Sequence, residues 1–181
     1  MKKLLWVLFI CVLCIGFFGC ASSASVSDET GNYVRNGDFA KIGSEWPNLP
    51  FNWNVSYQGG DDENGSPIKT ENGRLIGWAR HAYSFKLSQN IKGIPAGTYT
   101  LCAELRLNSD SEVGDIVMNV YSGSKLIKSK SVRDELSAAT RETDVLFELT
   151  DIEITGSSAK IEFVGTNIVN YIGIDNVIFF R

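Results

Sequence analysis

The run Gly97-Thr98-Tyr99-Thr100-Leu101-Cys102-Ala103-Glu104-Leu105-Arg106-Leu107-Asn108 alternates without a break. Tyr99, Leu101, Ala103, Leu105 and Leu107 fall on one side of an extended chain. Thr100, Cys102, Glu104, Arg106 and Asn108 fall on the other. Successive side chains of a strand point to opposite faces, so a period of two with one apolar face predicts a half-buried antiparallel strand. The same period recurs upstream. Tyr83, Phe85 and Leu87 alternate with Ser84, Lys86 and Ser88, and Phe51, Trp53, Val55 and Tyr57 alternate with Asn52, Asn54 and Ser56. Further strands are expected at 115–121, 125–132, 144–149, 159–164 and 172–180, and a helical turn only within 132–140. Between them lie Asn72-Gly73, Pro95-Ala96-Gly97, Ser122-Gly123-Ser124 and Thr155-Gly156-Ser157, which are turn sequences. Many short strands with glycine-rich turns and almost no helix predict an all-β fold of two packed antiparallel sheets, a β-sandwich.

The N-terminus is built differently. Lys2 and Lys3 precede an apolar run over residues 4–18, and Gly19-Cys20-Ala21 follows as a small-residue cleavage context. That order is the layout of a secretory signal, and the run is short for a spanning helix of about 20 residues. Phe17-Phe18-Gly19-Cys20 resembles a lipobox, which directs diacylglyceryl transfer to the cysteine and cleavage before it. The expected organisation is a lipoprotein signal peptide over 1–19, a lipidated Ser- and Ala-rich tether over 20–31, and a single domain over 32–181. An uncleaved anchor helix is the alternative, and both readings place the domain on the outer side of the cell membrane. Cleavage removes two lysines and takes the formal charge from −4 to −6. An acidic domain of this kind is not expected to bind nucleic acid. Cys11 and Cys14 leave with the signal and Cys20 carries lipid, so Cys102 is expected to stand without a disulfide framework.

Three stretches carry a resemblance. Asn32-Tyr33-Val34-Arg35-Asn36-Gly37-Asp38-Phe39, followed by Trp53, looks like the opening of a galactose-binding-domain-like jelly roll, and Ile174-Asp175-Asn176-Val177-Ile178-Phe179 looks like its closing strand. Between them, Trp78, Tyr83-Ser84-Phe85-Lys86-Leu87-Ser88-Gln89 and Ile94-Pro95-Ala96-Gly97-Thr98-Tyr99-Thr100-Leu101 resemble the carbohydrate-binding modules attached to bacterial endo-β-1,4-galactanases. The resemblance implies a two-sheet antiparallel jelly roll that binds polysaccharide or oligosaccharide non-catalytically. It also implies a structural calcium near the joined termini, with Asp38 and Asp175 as its ligands here. Ala40 stands where relatives carry an acidic residue.

Sugar recognition needs a flat aromatic face for ring C–H groups and planar polar side chains for the hydroxyls. The outward phase of the opening run offers Glu104, Arg106 and Asn108, and that of 115–121 offers Asn119 and Tyr121. Trp78, followed by Arg80 and His81, is read as a stacking platform, with core packing as the alternative. Trp53 is in phase with Val55 and is read as core. Trp46, beside Pro47, is open to either reading. Tyr171, between Asn170 and Ile172, is a second aromatic candidate. The expected carbohydrate-binding set is therefore Trp78, Arg80, Glu104, Arg106, Asn119 and Tyr171. His81 is the only histidine. No Gly-x-Ser-x-Gly elbow accompanies it, so no nucleophile triad or zinc site is expected. A small jelly-roll glycoside hydrolase using Glu104 is the enzymatic alternative. It lacks an expected partner carboxylate, because Asn119 fills the position read as neighbouring. An envelope protein-interaction module is the third reading. The acidic loop Asp61-Asp62-Glu63 lacks EF-hand spacing and is read as solvated.

The lipobox reading makes a direct prediction. Metabolic labelling with a tagged fatty acid should mark the wild-type chain, and Cys20→Ala should abolish the label. Equal label in the variant contradicts it.

Overall fold

The computed structural model describes residues 31–60, 66–136 and 142–181. The signal peptide, most of the tether, the acidic loop and the end of the expected helical turn lie outside the described residues. Among the described residues, eight antiparallel strands follow one another: β1 (Asn54–Gly59), β2 (Ile68–Glu71), β3 (Arg74–Lys92), β4 (Gly97–Leu107), β5 (Asp115–Ser122), β6 (Lys125–Ser131), β7 (Val145–Ile154) and β8 (Ser158–Phe180). The segments 159–164 and 172–180, read separately from sequence, are parts of one strand of 23 residues. Phe51 lies in a turn ahead of β1 and is exposed, which corrects its expected place on a strand face. Its neighbour Trp53 is buried against Phe39, with ring centroids 5.4 Å apart, and its indole N–H donates to the Asn36 carbonyl at 3.0 Å.

The pairing register sorts the strands into two layers. Residues 158–168 of β8 pair with 83–92 of β3 on one side and with β5 on the other, while β1 and β6 complete that layer. Residues 170–180 of β8 pair with 75–79 of β3 and with β4, while β2 and β7 complete the second layer. Both long strands therefore run through both layers. They bend together between Ala79 and Tyr83 on β3 and around Asn167 and Asn170 on β8, two residues of positive φ. The crease is pinned by Tyr83, whose hydroxyl donates to the Asn170 carbonyl at 3.0 Å.

Inward side chains of the two layers form one core. Phe85, Leu87, Met118, Ile161 and Phe163 come from the first; Leu75, Leu101, Leu105, Phe147, Ile174 and Phe179 come from the second. The opening segment closes one end. The Asn32 side-chain oxygen accepts from the Val34 and Phe179 backbone N–H groups, each at 2.9 Å, and Tyr33 N–H donates to the Phe179 carbonyl at 2.8 Å. The result is the all-β jelly-roll sandwich expected from sequence. Cys102 is buried on β4, and the other three cysteines, Cys11, Cys14 and Cys20, lie outside the described residues.

The crease depends on a bare backbone at Gly165. A Cβ there would stand 2.2 Å from Phe85 Cε1 and 2.6 Å from Ile168 Cδ1. Gly165→Ala should destabilise the domain by about 1–3 kcal/mol through overpacking. Urea unfolding measures it, and an unchanged midpoint contradicts the packing described.

Candidate functional site

Outward positions of the second layer meet on one face. On β3 these are Arg74, Ile76 and Trp78; on β8, Tyr171, Gly173 and Asp175; on β4, Glu104 and Arg106. The register sets Trp78 opposite Tyr171, Ile76 opposite Gly173, and Glu104 opposite Asp175. Trp78 is 40% exposed, so it is not a core residue. Tyr171 lies across Gly173, because a Cβ on that glycine would stand 2.7 Å from the tyrosine oxygen. The structure thus brings Trp78, Tyr171, Glu104 and Arg106 to one face, the last two by the outward phase of their strand. Arg80 takes the next outward position after Trp78, where the β3 bulge begins. It and His81 are exposed at the crease.

Asn119 is not part of this group. It projects from β5 on the outer face of the first layer, opposite Glu162, and its side-chain oxygen accepts from the Ser129 hydroxyl at 2.7 Å. That corrects its expected place beside Glu104. Alternation assigns a side chain to a face of its own strand, but it does not say in which layer the strand lies. The neighbour of Glu104 is instead a carboxylate, Asp175.

A polar network links the face. Arg74 donates to Asp144 at 2.7 Å, lies 3.5 Å from Asp175, and hydrogen-bonds the Tyr171 hydroxyl. Its guanidinium is held above the usual arginine range. Burial opposes that rise, and the bonds to Asp144 and Tyr171 outweigh it. Arg106 pairs with Glu142 at 3.3 Å. The Ser109 N–H also donates to Glu142 at 2.8 Å and is the largest influence holding that carboxyl below its ordinary value. Asn176 donates to Glu104 at 2.8 Å. Its reach comes from a bulge. Between the pairs Glu104–Asp175 and Cys102–Ile178, β8 carries two residues against one on β4, and Asn176 sits there at φ 47°. The extra residue leaves both Asp175 and Asn176 partly exposed on the outer face while Val177 returns to the core. Sequence reading missed Arg74 and Asn176 as site residues. Arg74 was within reach, being in phase with Trp78, whereas the Asn176 bulge breaks the phase.

The Asp38 and Asp175 side chains do not fit the calcium implied by the resemblance. Asp175 is bonded by the Asn176 N–H at 2.7 Å and faces Arg74, whose positive charge already compensates it. The Asp38 carboxylate accepts from Ala40 N–H at 3.3 Å, within its own loop. Among the described residues, no three or more His, Cys, Asp or Glu side chains converge as a metal site.

Neither a protein-family model nor a curated protein sequence matches the chain. Solved structures do. The chain is similar to TmCBM61 in complex with β-1,4-galactotriose, with 22% identity over 83% of this chain and 98% of that one, and a TM-score of 0.55. A structure described as "CBM4 structure and function" is similar at 16% identity over 80% and 97%, with a TM-score of 0.53. The apo form of a cyclase from Fischerella sp. is similar at 11% identity over 82% and 94%, with the same TM-score of 0.53. The fold is therefore that of carbohydrate-binding modules of the β-sandwich type. It is shared with at least one enzyme, so function has to be argued from the site.

Burial is the largest influence on Asp175 and raises its carboxyl above the ordinary aspartate range. The Asn176 N–H and Arg74 act against that rise, and Glu104 adds to it. A group whose folded-state pKa is raised contributes stability that is full below the unfolded pKa and is lost as pH rises through the folded value. Asp175→Asn removes that dependence. The unfolding free energy of the variant relative to wild type should therefore improve as pH rises from about 3 to about 7. Urea titrations across that range measure it, and a flat or opposite trend contradicts the assignment.

Proposed function

We propose that the chain is a surface lipoprotein whose jelly roll holds polysaccharide without cleaving it, on the outer face of the second layer. The carrying observation is the exposed Trp78 paired across β3 and β8 with Tyr171, next to Arg74, Asp175, Glu104 and Arg106, each held by an ion pair or hydrogen bond. A sugar ring has an apolar face of C–H groups and an equator of hydroxyls. The indole suits the first, and a fixed row of carboxylates and guanidinium groups suits the second. Those polar groups are already held by Asp144, Asn176 and Glu142 around them, so they need little ordering when a ligand arrives. β-1,4-Galactan is the first choice of ligand, on the resemblance of the central motifs and on the galactotriose bound by TmCBM61. A lipid anchor at Cys20 would keep that polysaccharide near the cell for separate glycosidases or transporters.

One observation favours a second reading. The direct pairing of Glu104 with Asp175 places two carboxyl side chains side by side, and glycoside hydrolysis uses such pairs. Arg74 and Asn176 engage them in the structure, which suits binding better than proton transfer.

Affinity electrophoresis through soluble galactan tests both. Removing an aromatic anchor costs on the order of 2 kcal/mol, or roughly 30-fold in affinity. Trp78→Ala should therefore abolish measurable retention while circular dichroism stays unchanged, and no new reducing ends should form. A folded variant that is retained like wild type contradicts the site. Reducing ends that disappear in Glu104→Gln convert the reading to hydrolysis.

A further inference from the structure

A second concave region lies where the opening segment crosses the far half of β3. It is a cleft of about 580 Å³, and its walls include Arg35, Lys41, Lys92, Asn52 and Asn90. Among the described residues, no aspartate or glutamate lines it. The chain as a whole carries a net charge of −4, so a wall holding three cations and no acid runs against its average.

The cations are also uncommitted. Arg35, Lys41 and Lys92 have no ion pair among the described residues; Arg80, Lys125, Lys128, Arg133 and Arg181 are likewise unpaired there, but they do not line this cleft. The floor beneath them is fixed. Gln89, 3% exposed, accepts from the Arg35 N–H and donates to the Arg35 carbonyl, both at 2.8 Å. The Asn36 side chain accepts from Lys41 N–H at 2.8 Å and donates to the carbonyls of Lys41 at 2.8 Å and Phe51 at 3.0 Å. The backbones that carry Arg35 and Lys41 are thus held in place, while their charged ends stay exposed. Phe51, one residue before Asn52, is 56% exposed and puts an aromatic ring next in sequence to this wall.

From this cleft we infer a second glycan subsite, one that takes an anionic sugar bearing carboxylate or sulfate groups. Arginine and lysine bind such groups through charge-assisted hydrogen bonds, and the asparagine amides on the wall suit ring hydroxyls. Convergent positive charge also draws a polyanion toward the cleft at low salt. The subsite is separate from Trp78, which lies on the other half of β3 and in the other layer, so the two stand or fall independently.

The test is affinity electrophoresis of the full-length chain at low salt through polygalacturonate, dextran sulfate, fully methyl-esterified pectin and neutral galactan. The charged polymers should retain the protein, and the esterified one should not. Retention by polygalacturonate alone assigns a uronate, and by dextran sulfate alone a sulfated sugar; both support the subsite. The triple variant Arg35→Gln, Lys41→Gln, Lys92→Gln should bind the retaining polymer about tenfold or more weakly. It changes only side chains with no ion pair among the described residues, and circular dichroism checks that it stays folded. Trp78→Ala should be retained on that polymer like wild type. Retention by neither charged polymer overturns the inference, as does equal retention of the triple variant or binding confined to anionic phospholipid vesicles.

Discussion

The continuous pairing of β3 with β8 is the constraint on which everything else depends. Two strands of 19 and 23 residues stay hydrogen-bonded to each other through both layers, apart from the crease where they bend together. A strand that crosses from one layer to the next must bend and must also settle which side chains face the core. At the crease, the three residues Arg80, His81 and Ala82 bulge outward on β3 while a single residue lies opposite on β8. Bulges of this kind increase local twist and re-aim side chains, and they recur next to functional sites. Here the bulge separates Trp78 from the first layer and leaves it at the end of a sheet face, accessible from solvent.

On the outer face of the second layer the charges are paired, Arg74 with Asp144 and Asp175, and Arg106 with Glu142. Arg74 joins Asp144, Asp175 and the Tyr171 hydroxyl, so one largely shielded guanidinium ties three side chains of the site together. An arginine in that role is hard to replace. Lysine presents a point charge instead of a planar fork and cannot satisfy three acceptors in fixed directions. Removing one partner of such a group costs more than its mean contribution, because the others are left partly desolvated and unmatched.

Within single strands, periodicity was sufficient. Tyr99 to Leu107 and Tyr83 to Leu87 face the core in the phase their alternation implies, and the outward phase of Glu104 and Arg106 followed from the same rule, whereas Trp78 was read as exposed from its polar neighbours Arg80 and His81. What alternation could not carry was long-range. It divided β8 in two, because Gly165, Asn167 and Asn170 carry the chemistry of a turn while serving as a crease. It placed Asn119 beside Glu104 because both are outward, although their strands lie in different layers. It had no means of foreseeing Asn176, which joins Glu104 only because an inserted residue shifts the phase after Asp175. Phe51 was misassigned for a local reason. Its spacing fits a strand, but Asn52 adopts a positive φ of 69° and the chain turns before β1 begins.

The seating of Tyr33 against Phe179 also determines how the domain bears load. A chain held from its N-terminus and pulled by something gripping the Trp78 face is loaded along β8. Its far end takes the tension at Phe179, and Tyr171 and Asp175 take it further along the same strand. Because β8 is flanked by β3 on one side and by β4 or β5 on the other, it cannot peel away one bond at a time. The hydrogen bonds on both flanks must shear together, an arrangement that resists extension far better than an unzipping edge strand.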